Sequence, residues 1–202
     1  MREFLVGRDF FGIHPWDVPE SADGRAAALE GVRGALLSNR QAGVGEIGLD
    51  RLRARDIPPR MREMFTAQLE LALELDRPVV LHGAKCWGQV ASAIKAVGAA
   101  HSRGFRKPFV FHGFSRSDGL IPEIVAMNGY ISIGPAILND HAVNYRELAK
   151  AIPEDRLLVE TDRTAESAAV SIRDVLAKLA EVRGVSAAAL EKATDANALK
   201  VV

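Results

Sequence analysis

Six short apolar runs, each separated from the next by a longer segment with helical spacing, constrain this chain more than any other feature. They lie at residues 9–13, 44–48, 78–82, 108–112, 130–134 and 157–161. Runs of this length, rich in Val, Ile and Phe, suit strands buried on both faces. Between them, residues 60–75 place Met61, Met64, Phe65, Leu69, Ala72 and Leu73 near one helical stripe. Residues 87–100, 118–128, 144–152 and 171–183 carry similar spacing, and Gly184 stands where a helix stop is expected. Strand and helix alternating six times predicts an α/β fold with a parallel sheet, either open or closed into a barrel. No glycine-rich phosphate loop follows any of the runs, which weighs against the open nucleotide-binding folds. Residues 50–60 are rich in Arg and contain Pro58 and Pro59, the pattern of a surface loop leading into a helix.

The 202 residues suffice for one domain with its own core, and we expect a single domain over 1–202. Lys plus Arg equals Asp plus Glu, at 26 each, which argues against a broad polyanion-binding surface but leaves room for a local site. The single cysteine, Cys86, excludes an internal disulfide framework and reads as a small core filler. No apolar run approaches the roughly 18 residues that span a bilayer, and the first nine residues lack the apolar core of a signal peptide. The expectation is a cytoplasmic protein with no membrane partner.

The chemistry is carried by position. Glu46 sits inside one apolar run, His82 and His112 end two others, and Asp162 directly follows the last. In a parallel barrel the C-terminal strand ends converge on one rim, where active sites form. A lone histidine at a strand end is commonly structural, but four ligand-type residues at corresponding positions form a constellation. Imidazole and carboxylate suit zinc, manganese and similar divalent ions. Two such ions can activate water and stabilise the oxygens of an in-line displacement at phosphorus. No nucleophilic side chain stands out. Trp16, after Pro15, reads as a packing residue, although an aromatic there can also stack a base.

Several motifs together resemble the TatD-type metal-dependent hydrolases. They are the Gly-Ile-His-Pro segment ending at His14 and Pro15, Val-Gly-Glu46-Ile-Gly-Leu-Asp50, His82, His112-Gly-Phe-Ser, Tyr-Ile-Ser-Ile-Gly134 and Glu160-Thr-Asp162. They occur in the family's order and cover about residues 10–200. The resemblance implies a TIM-like (β/α) barrel, and a hydrolase that cleaves phosphodiester bonds in DNA with metal-activated water. It implies one or two divalent ions (Zn, Mn, Mg or similar). Glu46, His82, His112 and Asp162 would be ligands, with Glu46 bridging and Asp162 also orienting or deprotonating the water. His14 and Lys85 would contact substrate, a nucleic acid or small phosphodiester.

The chain departs from the pattern in three places. None of its five histidines forms the His-x-His of the family's first strand, so the expected barrel is incomplete at the N-terminus and binds one ion better than two. Ala84 stands where longer members carry Arg, leaving Lys85 as a point charge for a phosphate, as in a short branch of the family. Arg163 and Thr164 replace the small residue and proline that usually follow Glu-Thr-Asp. Two other functions stay open on the sequence: a hydrolase of small phosphate esters or amides, and a catalytically impaired relative acting as a binding or scaffold protein. Exposed barrel edges would also favour a homo-oligomer.

Overall fold

Pro59 begins the helix that follows the Arg-rich loop, and the order of elements around it matches the alternation read in the sequence. The computed structural model describes residues 9–52, 56–115, 117–162 and 169–201. Arg163 and Thr164, part of the Arg-rich loop and the residues before Asp9 lie outside that set. The strands are β1 (Phe10–Phe11), β2 (Gly43–Asp50), β3 (Val79–Ala84), β4 (Phe109–Phe111), β5 (Gly129–Ile133) and β6 (Leu157–Val159). The helices are α1 (Ala22–Ser38), α2 (Pro59–Glu74), α3 (Trp87–Ala100), α4 (Ile121–Ala126), α5 (Val143–Ala151), α6 (Ile172–Arg183) and α7 (Ala187–Val201). Among the described residues no helix is long and apolar enough to cross a membrane.

Two compact units are distinguished, Gly7–Val110 and one built on Phe111–Val202. In the first, β1 pairs with β2 and β2 with β3, all parallel. Val44, Ile47, Leu81, Phe65, Leu69 and Val90 are fully or almost fully buried there, so β2 and β3 are covered on both faces as their composition requires. Pro at the first turn of α2 fixes φ where no N–H is needed, and Met61, Met64, Phe65, Leu69 and Ala72 form its buried stripe. Gln68 lies on that stripe at 1% exposure. Its amide accepts the Ile13 N–H at 2.6 Å and donates to the Ile13 carbonyl at 3.2 Å, so a helix side chain fixes the backbone just before His14. Arg77 donates to the Leu36 carbonyl at 3.1 Å and closes the C-terminal end of α1.

In the second unit β5 and β6 pair in parallel, with Ile131 opposite Leu157 and Ile133 opposite Val159. Helix α6 begins at a capping box, Ser171 accepting from the Asp174 N–H while the Asp174 carboxylate accepts from the Ser171 N–H. It stops at Gly184 with φ 67°, the left-handed conformation that favours glycine. Arg183 donates to the carbonyls of Ala149 and Ile152, tying the last turn of α6 to the end of α5. The expected helix over 118–128 is broken into a 3-10 turn (Asp118–Leu120) and α4, because Pro122 favours a new first turn.

Candidate functional site

Glu46 is the one exposed residue in β2, whose other seven are buried. The packing of the rest of the strand fixes the backbone that carries this carboxylate. β2 and β3 pair with Gly48 opposite His82 and Asp50 opposite Ala84. Gly48 has φ 154°, and a Cβ at that position would stand 1.9 Å from the His82 carbonyl oxygen. Only glycine permits the strands to approach so closely, and the approach sets the His82 ring against Asp50.

Asp50 is buried, at 1% exposure, and satisfied. One carboxylate oxygen accepts the Trp16 indole N–H at 2.9 Å and lies 2.9 Å from His82 Nε2. The other accepts the Leu52 N–H at 2.6 Å. Burial pushes this carboxyl upward, but the hydrogen bonds from His82, Leu52 and Trp16 outweigh it and hold the group below the ordinary carboxylate range. An ionised Asp50 can only accept, so His82 Nε2 donates to it, and in the neutral ring this leaves the lone pair on Nδ1 for a cation. A carboxylate behind a histidine is the usual way to fix tautomer and ring orientation at a metal ligand.

His14 completes the group. It precedes the 3-10 turn Pro15–Asp17, and its Nδ1 accepts the Trp16 N–H at 3.3 Å. The His14 and His82 ring centroids are 4.6 Å apart, and Trp16 stands 4.8 Å from His14 and 6.0 Å from His82. One ligand atom each from His14, Glu46 and His82 lies within 4.8 Å of the others. Two imidazoles and a carboxylate at that spacing fit a divalent ion of the zinc or manganese type, leaving positions for water.

The second unit holds its own buried carboxylate. Glu160 follows β6 directly and accepts the Gly113 N–H at 2.7 Å, the Ser132 hydroxyl, and His112 Nδ1 at 3.4 Å. Burial raises this carboxyl, yet the charge and hydrogen bond of His112, with Ser132 and Gly113, bring it below its usual range. Glu160 and Asp162 line a cleft of approximately 1190 Å³ with Gly134, His141, Asn144 and Tyr145. The Tyr145 hydroxyl accepts the Gly134 N–H at 3.0 Å, and burial holds the phenol above its usual range, so it stays protonated.

The structure gathers His14, Glu46 and His82 into one group. Lys85 is exposed just past β3, with φ 57°. His112 is buried against Glu160, and Asp162 is exposed at its cleft with φ 39°. The sequence reading gave no role to Asp50, Glu160 or Gln68. A signal existed for two of them: Gln68 interrupts an apolar helical stripe, and Glu160 continues an apolar strand run without a break. His141 is exposed and lines the cleft.

Comparison with known proteins adds family and fold. A family model described as TatD related DNase matches residues 8–202. An uncharacterized metal-dependent hydrolase, YabD, of Bacillus subtilis is 28% identical over 161 residues, covering 79% of this chain and 61% of that protein. The match thus spans less than two thirds of that relative's length. The 3'-5' ssDNA/RNA exonuclease TatD of Cronobacter sakazakii is 29% identical, over 94% of this chain and 74% of its own. The crystal structure of a TatD homologue from Escherichia coli K12 superposes with a TM-score of 0.77 at 27% identity, covering 96% of this chain and 76% of that one. This likeness bears out the α/β, TIM-like fold class.

Proposed function

Because the chain belongs to the TatD-related DNase family, we propose that it is a metal-dependent hydrolase of phosphodiester bonds, acting on the ends of single-stranded nucleic acid. The observation that carries this reading is the convergence of His14, Glu46 and His82, with Asp50 fixing the His82 tautomer. A divalent ion bound there would supply a Lewis acid and lower the pKa of a water molecule. The protein's part is to hold two imidazoles and one carboxylate in a preset arrangement. Asp50 keeps the His82 lone pair directed away from itself, and Gln68 holds the backbone that presents His14. Lys85 offers a positive charge to a phosphate. In the Phe111–Val202 unit, the motif order supports His112 as a further ligand and Asp162 as a ligand and as the group that orients or deprotonates water. The substrate class rests on relatives such as the Cronobacter exonuclease. The family match running from residue 8 to 202 supports one hydrolase domain over the whole chain.

The test is calorimetric titration of metal-stripped protein with manganese and zinc, beside cleavage of end-labelled single-stranded DNA and of a small phosphate diester. Binding that is lost in Glu46→Ala, with metal-dependent shortening of the DNA, is the expected result. Binding without cleavage of either substrate would remove the hydrolase reading and leave a metal-binding relative. Cleavage of the small diester alone would keep the chemistry and remove the nucleic-acid substrate.

A further inference from the structure

The chain has two tryptophans, and the structure treats them in opposite ways. Trp87 is 3% exposed and serves as a core residue. Trp16 is 47% exposed. A merely structural indole is normally covered by neighbours, since leaving half of it in water forfeits much of its burial free energy. Trp16 is nonetheless held firmly. Its indole N–H donates to buried Asp50 at 2.9 Å, and its backbone belongs to a 3-10 turn that starts at Pro15. Two residues earlier the chain is clamped through both polar groups of Ile13 by Gln68.

The ring is also placed where a ligand would meet it. Its centroid is 4.8 Å from His14 and 6.0 Å from His82, the two imidazoles of the metal-capable group. The oxygen of Asp50 that accepts the indole proton is the one that contacts His82. One atom thus fixes the spacing between the aromatic surface and the ligand group. Lys85 and Arg51 are both exposed, at adjoining strand ends joined by the Arg51 N–H to Ala84 carbonyl bond of 2.9 Å. An anchored aromatic face beside a cation site, with two basic side chains close by in the fold, is the composition of a subsite that stacks a base while its phosphate is neutralised.

We propose that Trp16 is the stacking platform for the nucleobase next to the scissile phosphate, with Asp50 setting its distance from the ligand group. The proposal rests on the nucleic-acid reading above and adds a substrate-contacting residue to it. Stacking on one aromatic ring does not discriminate among bases, so the platform predicts contact with any sequence. It also predicts a requirement for a base at that position.

Binding measured on the metal-stripped full chain separates this proposal from the activity itself. The probes are a thymidine tetranucleotide and an abasic deoxyribose-phosphate strand of the same length. Affinity of the native chain and of each variant is read from the anisotropy of end-labelled strands, and acrylamide quenching in the native chain reports on exposed Trp16, because Trp87 is buried. The native chain should bind the base-bearing strand roughly tenfold tighter than the abasic one, with Trp16 protected from quencher. Trp16→Leu should abolish that preference, leaving affinity for the abasic strand unchanged. Trp16→Phe should restore most of it. Both variants lose the indole N–H, so the difference between them reads the ring alone and not the damage to Asp50. Equal affinity of the native chain for both strands, equal weakening of both strands in Trp16→Leu, or binding of neither strand would overturn the proposal. A base preference that depends on Trp16 in a protein that cleaves no DNA when reloaded with manganese would uphold the platform and remove the hydrolase reading.

Discussion

His82 Nε2 and the carboxylate of Asp50 are 2.9 Å apart, and Asp50 is the more deeply buried of the two. A candidate ligand is thus oriented by a group that is itself hidden from solvent. Asp50→Asn keeps the shape but offers only one accepting oxygen, so it cannot serve the Leu52 N–H and the His82 and Trp16 donors at once. We expect manganese and zinc affinity to fall by about tenfold or more, as is typical when the carboxylate behind a ligand histidine is lost. Calorimetric titration of the variant beside the native chain checks this, and unchanged affinity would mean that Asp50 serves folding only.

Gly48→Ala places a methyl group 1.9 Å from the backbone oxygen of His82, a clash with main chain that no rotamer can relieve. The strands must separate or β2 must change its φ of 154°. The expected loss of stability is about 2 kcal/mol or more, within the range for overpacking and disfavoured backbone. Urea unfolding followed by circular dichroism gives the number. A midpoint equal to that of the native chain would contradict the close approach.

Gln68→Leu preserves bulk but leaves the Ile13 N–H and carbonyl without their partner. Two buried backbone groups left unsatisfied should cost about 2–4 kcal/mol. Because the segment leads into His14, metal affinity should also fall in the fraction that stays folded. Loss of stability with unaltered affinity would separate the clamp from the ligand group.

Cys86 donates to the Leu49 carbonyl at 3.2 Å, and burial, aided by Asp50, pushes its thiol up to about 11 from an ordinary value of 9.0. Between those values the unfolded chain has lost a proton that the folded chain retains, so the folded state binds more protons and stability falls as pH rises. The contribution is complete below about pH 9 and gone above about pH 11. Iodoacetamide labelling of the native protein should stay slow through pH 9, while the urea-unfolded chain reacts readily there. Cys86→Ser should remove this part of the alkaline loss of stability.

The strands were legible because burial on both faces leaves an unbroken apolar run, and each of the six runs overlaps an observed strand. Glu46 and His82 could be singled out as polar residues in such runs. Asp50 was visible in its motif, but its role was not, since it depends on the β2–β3 register that brings it to His82. Helix α1 escaped because it is rich in Ala and Gly and buries only Val32 and Leu36, so its periodicity is faint. His14 was given to the substrate from the motif it sits in. Its grouping with Glu46 and His82 arises from the Gln68 clamp and the Pro15 turn, which join residues far apart in sequence.

The near-complete burial of β2 bears on how such a protein can diverge. Seven of its eight residues face packed neighbours, and the eighth is Glu46. Random change in this strand is therefore removed by loss of folding or of the ligand group, and the strand should drift slowly across generations. Under the proposed function, new substrate preferences would arise at exposed positions. Ala136, His141, Val143 and Asn144 are exposed around the second unit's cleft, where a replacement meets solvent first. Exchanges at exposed positions of this kind cost little stability.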